Sequence, residues 1–456
     1  MVNAVTGNDL TLTTSPTAPL GGDLNIESAN VGNDIFLTVD GKLTQNNVGS
    51  LAPNTITVNN NTVMDVEGTV TLTSAGNDFG ANTTGTVEID AEGQTDITDV
   101  NAIIFADVDV GNATAASDFN VIAGDTITQT AAGHVVVEGQ TDMASVNGIT
   151  LDNTINDFVG DVSARNTTSG NITLRDANDI NLGDTVNGNG GVVNSAVGGN
   201  IAVTTEDGDI VINNIAGYSV DSANDVTFTA KNNPTTVGDN GNVVQLGQAI
   251  AVSLNGDAQT VANAGLDTTS TKATGTLTMT TDGSVGGVKG ADYIVTEAGT
   301  YVVTAGGDVD VVGLNGMDVT GITAGGNADL YTDGTITTKN NGGNITTGGD
   351  VTVTAADYDR TVDMTMNGSI ITVNNIEGQP AKNAPFDLHG GNEHPEVTAT
   401  RNQVTVFADG RYVGGERKNF NRLWTLEAFQ VLMPSIDVNY TVDDEGTITE
   451  TTEGEE

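Results

Sequence analysis

Residues with the types and spacing for chemistry fall in three places along the chain. Glu206, Asp207 and Asp209 form a carboxylate cluster, with Arg165 and Arg175 as the basic pair nearby. Carboxylates beside cations are what acid–base cleavage of an acidic polysaccharide requires. Asp-Gly is also common turn chemistry, and acidic residues are spread along the chain without a focus, so solvated turn carboxylates are the plainer reading. His389, Glu393 and His394 invite a metal. A His-x-x-Glu-His ligand set needs a helix, whereas here one extra residue intervenes and Gly390, Gly391 and Pro395 oppose a helix. A loop with two surface histidines is the simpler expectation. Calcium is the remaining candidate cofactor, because Asp207 and Asp209 offer the hard oxygen ligands it takes. Neither an EF-hand loop nor a repeated Gly-Gly-x-Gly-x-Asp nonapeptide is present, and a diffuse cation cloud would serve equally. His134, ahead of Val135, Val136 and Val137, reads as a packed or edge residue.

Charge narrows the partners. The 456 residues carry 14 Lys and Arg against 60 Asp and Glu, a formal net charge of −46. Such a polyanion is repelled by nucleic-acid phosphates and by anionic lipid, so neither partner is expected. No run of about 18 apolar residues is present to span a membrane as a helix. With no Cys, the chain has no disulfide, thiolate metal site or Cys nucleophile.

The scaffold that must position these groups reads as all-β. Short apolar alternations recur, as in Ile172 and Leu174, Ile201 and Val203, Ile210 and Ile212, and Val226 and Phe228. Val309 and Val311, and Val351 and Val353, continue them. Gly, Asn and Asp punctuate nearly every burst. Phe79, Phe119 and Phe158 each follow Asn-Asp or Ser-Asp, and Gly-Gly recurs at 306–307, 325–326 and 348–349. These intervals suggest a coil of about 20 residues, about 19 coils in all, with the three Phe pointing inward on one face. So short a unit encloses a core only by stacking on its neighbours, which favours a parallel β-helix over leucine-rich repeats or a series of sandwiches. The run Asn59-Asn60-Asn61 either forms amide ladders between coils or simply turns the chain.

The stretch Asn171-Ile172-Thr173-Leu174-Arg175-Asp176-Ala177-Asn178-Asp179-Ile180-Asn181-Leu182-Gly183, preceded by Ile155-Asn156-Asp157-Phe158, resembles the repeats of filamentous-haemagglutinin-like exoproteins. So does Leu72-Thr73-Ser74-Ala75-Gly76-Asn77-Asp78-Phe79. The resemblance implies a right-handed parallel β-helix (a solenoid), export to the cell surface, and a role in adhesion or surface structure.

The texture changes after Glu377, dividing a repeat domain over 1–376 from a non-repeat capping and assembly region over 377–456. Four of the eight prolines and the only Trp lie in the latter. Leu423, Trp424, Leu426, Phe429 and Leu432 predict a helix over 421–432, stopped by Pro434. Alternation over 435–451 predicts a strand that either folds back or is donated to another molecule. Phe420, Trp424, Phe429, Ile436, Val438 and Tyr440 exceed what a cap needs and mark a self-assembly surface. The expectation is therefore a structural extracellular rod, coat or filament joined head to tail. The alternatives are a polysaccharide-acting enzyme and a glycan-binding module.

Overall fold

The computed structural model describes residues 2–15, 22–45, 54–183, 190–213, 217–232, 241–245, 269–286, 293–314, 316–338 and 344–348. Beyond these it describes the strands at 351–359, 363–366, 371–374, 396–399, 411–413, 416–418, 439–442 and 448–451. Every regular element among them is a strand. The strands stack in parallel as a β-solenoid of about 11 turns. The chain divides into two compact units, 1–247 with 271–275 and 276–456 with 248–270.

In the first unit the rungs are long. Ile35 pairs in register with Thr62, and Thr62 with Val87, so a turn there takes 27 and then 25 residues. The expected coil of about 20 residues is corrected for this unit, and the 19 turns fall to about 11, while the second unit keeps rungs of 19, 23 and 20 residues. Turns of variable length absorb the difference while the strands keep register.

Alternation inside each strand sends every second residue into the core, where it meets its counterpart one coil away. One such column runs Val39, Val66, Ala91, Val110, Val137, Phe158 across six coils. All six are buried. Phe79 tops a different column, Val31, Val58, Phe79. Phe119 stands in a third, Leu43, Val70, Thr95, Phe119, Thr141, Val162. All three Phe are buried, but they occupy three columns rather than one shared face. The three Phe therefore do not mark successive equivalent positions of one coil, which is why their spacing misjudged its length.

Turns are tied to turns. Asn33 donates to Asp9, Asn60 to Asn33, and Asn82 to Asn60, each through Nδ2 to a side-chain oxygen one coil below. Asn60 thus belongs to an amide ladder. Its neighbour Asn61 accepts the N–H and hydroxyl of Thr86 on Oδ1.

In the second unit Val309 pairs with Ala328 and Ala328 with Val351, so Gly306, Gly325 and Gly348 fall one above another. A Cβ on Gly325 would lie 1.9 Å from Gly306 O, and one on Gly348 would lie 2.1 Å from Gly325 O. Backbone approaches so close that only Gly fits. Parallel pairing continues through Asp363–Met366 with Glu396–Ala399, past the change of texture at 377. The helix expected over 421–432 lies outside the described residues. Within 435–451 the structure has two strands, Asn439–Val442 and Ile448–Thr451, paired antiparallel as a hairpin instead of one continuous strand.

Candidate functional site

Two buried polar assemblies in the first unit share one plan. In the first, the Asn77 amide faces the Gln45 amide: Asn77 Nδ2 donates to Gln45 Oε1 at 2.9 Å, and Gln45 Nε2 donates to Asn77 Oδ1 at 2.8 Å. Asn77 Oδ1 also accepts the Ile56 N–H at 2.9 Å. Two residues on, the Phe79 N–H donates to Asp99 Oδ2 at 2.7 Å, while Asp99 Oδ1 accepts the Asn101 N–H at 2.7 Å. The second assembly repeats this with Gln129, Asn156, Val135, Phe158, Asp176 and Asn178. Asn77, Asn156, Asp99 and Asp176 are all buried.

The logic is satisfaction of buried donors. The strands Asp78–Phe79 and Asp157–Phe158 are two residues long, and a carboxylate stands in for the acceptor that the next coil's backbone would offer a longer one. Burial pushes the Asp99 carboxyl up to about 6 and Asp176 up to about 7, with the two N–H donors of each opposing that rise. Sequence reasoning singled out Asn-Asp-Phe for its Phe and missed the Asn. It also missed the downstream partner, whose trace is the Asp-x-Asn at 99–101 and again at 176–178.

The carboxylate cluster is taken apart by the fold. Glu206 sits between two cations, with Lys231 Nζ at 2.8 Å and Arg175 NH1 at 3.5 Å from Oε1. Arg165 is on another strand, in rung register with Ala144 and Val193. Asp209 belongs to a ladder. Its N–H donates to Asp179 Oδ1 at 2.6 Å, and its own Oδ1 accepts from N and Nδ2 of Asn242 at 2.6 and 3.0 Å. Asp207 lies in the same turn, before Gly208. Among the described residues no group of three acidic or histidine side chains is placed to hold a metal ion.

His134 lies at the end of an acidic stack. Asp65, Asp90 and Asp109 are successive rung partners, and burial followed by these neighbours and Glu92 raises the Asp90 carboxyl. His134 Nδ1 is 3.0 Å from Asp107 Oδ1 and Nε2 is 3.2 Å from Asp109 Oδ2. The edge histidine thus bridges two carboxylates one coil below.

This wall of coils finds one counterpart among known families. Residues 93–165 match a family described as repeats of unknown function (DUF5649). The matched repeat contains Asp99 of the first buried assembly and Gln129, Asn156 and Phe158 of the second. No curated protein and no solved structure matches the chain. His389, Glu393, His394, Phe420, Trp424, Phe429, Ile436 and Val438 lie outside the described residues. Tyr440 falls in the hairpin strand Asn439–Val442.

Proposed function

We propose that this β-helical repeat protein is a structural, non-enzymatic component of the cell exterior, serving as a rod, coat or filament in adhesion or surface architecture. What supports the reading most is the use made of the polar side chains. Asp99, Asp176, Asp209, Gln45–Asn77 and Gln129–Asn156 are each engaged in binding one coil to the next. The likeness of the repeats, concentrated at 70–230, to filamentous-haemagglutinin-like exoproteins points the same way. Head-to-tail self-assembly is part of the proposal. Among the described residues the strand Val2–Thr6 pairs only with Leu24–Val31, and the proposal places the joint with a further parallel coil at its other edge.

Negative-stain microscopy of the purified protein tests this reading. Rods or end-to-end filaments are expected, and shortening of the filaments on deletion of 434–456 would assign the joint to the C-terminal hairpin. Amorphous particles at every concentration would refute it. The competing polysaccharide-acting reading rests on Glu206 between Arg175 and Lys231. Release of reducing or unsaturated sugar ends from acidic glycans, abolished by Glu206→Gln, would replace the structural proposal.

A further inference from the structure

In the second unit, a buried carboxyl and a half-buried one share a rung. Asp310 and Asp329 are rung partners on adjacent coils, in the strands Val309–Gly313 and Ala328–Thr338. Parallel pairing holds such partners roughly 4.8 Å apart. All five residues of Val309–Gly313 are buried, so this strand is covered on its outer side as well as its core side. Asp310 is 7% exposed. The buried Tyr293 hydroxyl donates to Asp329 Oδ2 at 2.6 Å. Among the described residues, no hydrogen bond reaches the Asp310 carboxyl.

Among the described residues, no cation lies beside the pair. Ahead of the strand Ile294–Ala305 stands Tyr293, and in the turn before Val309 stands Asp308, whose Oδ1 accepts the Asn327 N–H at 2.6 Å. The segment 284–286, where the Val285 carbonyl accepts the Asp310 N–H, brings no charge. On the next coil the rung partner of Asp329 is Thr352. Two carboxylates one rung apart, one buried and one half-buried, with no described cation beside them, are costly to ionise together. The Tyr293 hydroxyl favours charge on Asp329, which leaves the proton to Asp310. Burial, then Asp329 and Asp308, push Asp310 up to about 7, and burial raises Asp329 as well.

We infer that Asp310 and Asp329 form a carboxyl clasp that holds one proton between two adjacent coils, keeping this part of the solenoid closed in acid and loosening it when the proton leaves. The clasp is independent of whether the protein assembles. It gives the second unit a response to pH that its exterior acids cannot supply.

Hydrogen exchange of the full chain, read by mass spectrometry and corrected for intrinsic pH effects, tests the clasp. Protection at 309–313 and 328–332 should fall at least about tenfold between about pH 5 and pH 8.5. The strand Ile35–Val39 serves as the control and should change less. Asp310→Asn, which keeps the shape of the protonated acid, should hold protection within about threefold over that range. Tyr293→Phe, which removes the donor to Asp329, should move the loosening to higher pH. Unchanged protection in the unsubstituted protein, or an Asp310→Asn protein that loosens equally, would overturn the clasp. So would calcium chloride restoring protection at the alkaline end in the unsubstituted protein but not in Asp310→Asn, since the pair would then be a cation site.

Discussion

Asp176 closes the corner at Phe158. Its Oδ2 accepts the backbone N–H of Phe158, 18 positions earlier in the chain, at 2.7 Å. The same relation, with the same distance, joins Asp99 to Phe79 across 20 positions. A carboxylate that satisfies two buried backbone donors belongs to the ladder as much as any strand does.

Removing that carboxylate should therefore act like cutting a rung. Asp176→Ala leaves the N–H groups of Phe158 and Asn178 without their acceptor in a buried site. A loss of about 2–4 kcal/mol is expected in urea unfolding, with a similar loss for Asp99→Ala. Asp207→Ala, in a turn, should cost less than about 0.5 kcal/mol.

Acidity should stabilise the first unit. Asp99 and Asp176 are raised above the ordinary carboxylate value, so the folded state holds their protons more tightly than the unfolded chain does. Their contribution is complete below about pH 4 and is lost as pH rises through about 6 and 7. For Asp176 the full effect is on the order of 4 kcal/mol. Thermal melts followed by circular dichroism should give a higher midpoint near pH 5 than near pH 8, with a smaller difference in Asp176→Asn.

Phe119 is fully buried, between Thr95 and Thr141 in its column and edge-on to Phe105 with ring centroids 5.6 Å apart. Phe119→Asp places a charge in that core and should cost several kcal/mol, roughly the 3–5 kcal/mol of a Phe→Ala cavity or more. A midpoint of unfolding equal to that of the unsubstituted protein would show the column to be misassigned.

Gly325→Ala should disturb the second unit more than a methyl group normally would. The added Cβ meets the Gly306 carbonyl at 1.9 Å, and that oxygen belongs to backbone that cannot swing aside. Faster exchange of the amides at 321–324 and 344–347 is the expected result. Exchange identical to that of the unsubstituted protein would mean that the coils are spaced more widely.

Much of the architecture was legible because its cause is local. Ile172, Leu174, Ile201, Val203, Ile210, Ile212, Val226, Phe228, Val309 and Val311 recur at every second position because a strand turns alternate side chains inward, and all ten are buried. Gly-Gly at 306, 325 and 348 announced its spacing because close backbone contact leaves no other residue type. Coil length was harder, since Phe79, Phe119 and Phe158 each answer to a different column. Asp99 and Asp176 were invisible for a physical reason. An Asp at a turn looks the same in sequence whether its carboxyl faces water or the N–H of a residue one coil away. The hairpin at 439–451 likewise depends on a reversal that alternation alone does not encode.

The repeated corner has a mechanical consequence. A parallel solenoid pulled from its ends along the stack gives way one coil at a time, because each ladder is loaded in turn rather than all at once. The carboxyl hydrogen bonds at Asp99 and Asp176 add resistance at two points separated by 77 residues. Stretched chain of that length spans about 270 Å at roughly 3.5 Å per residue. Under tension the first unit would therefore yield with two force peaks set about that far apart, the response of a tether built to lengthen in steps before it breaks.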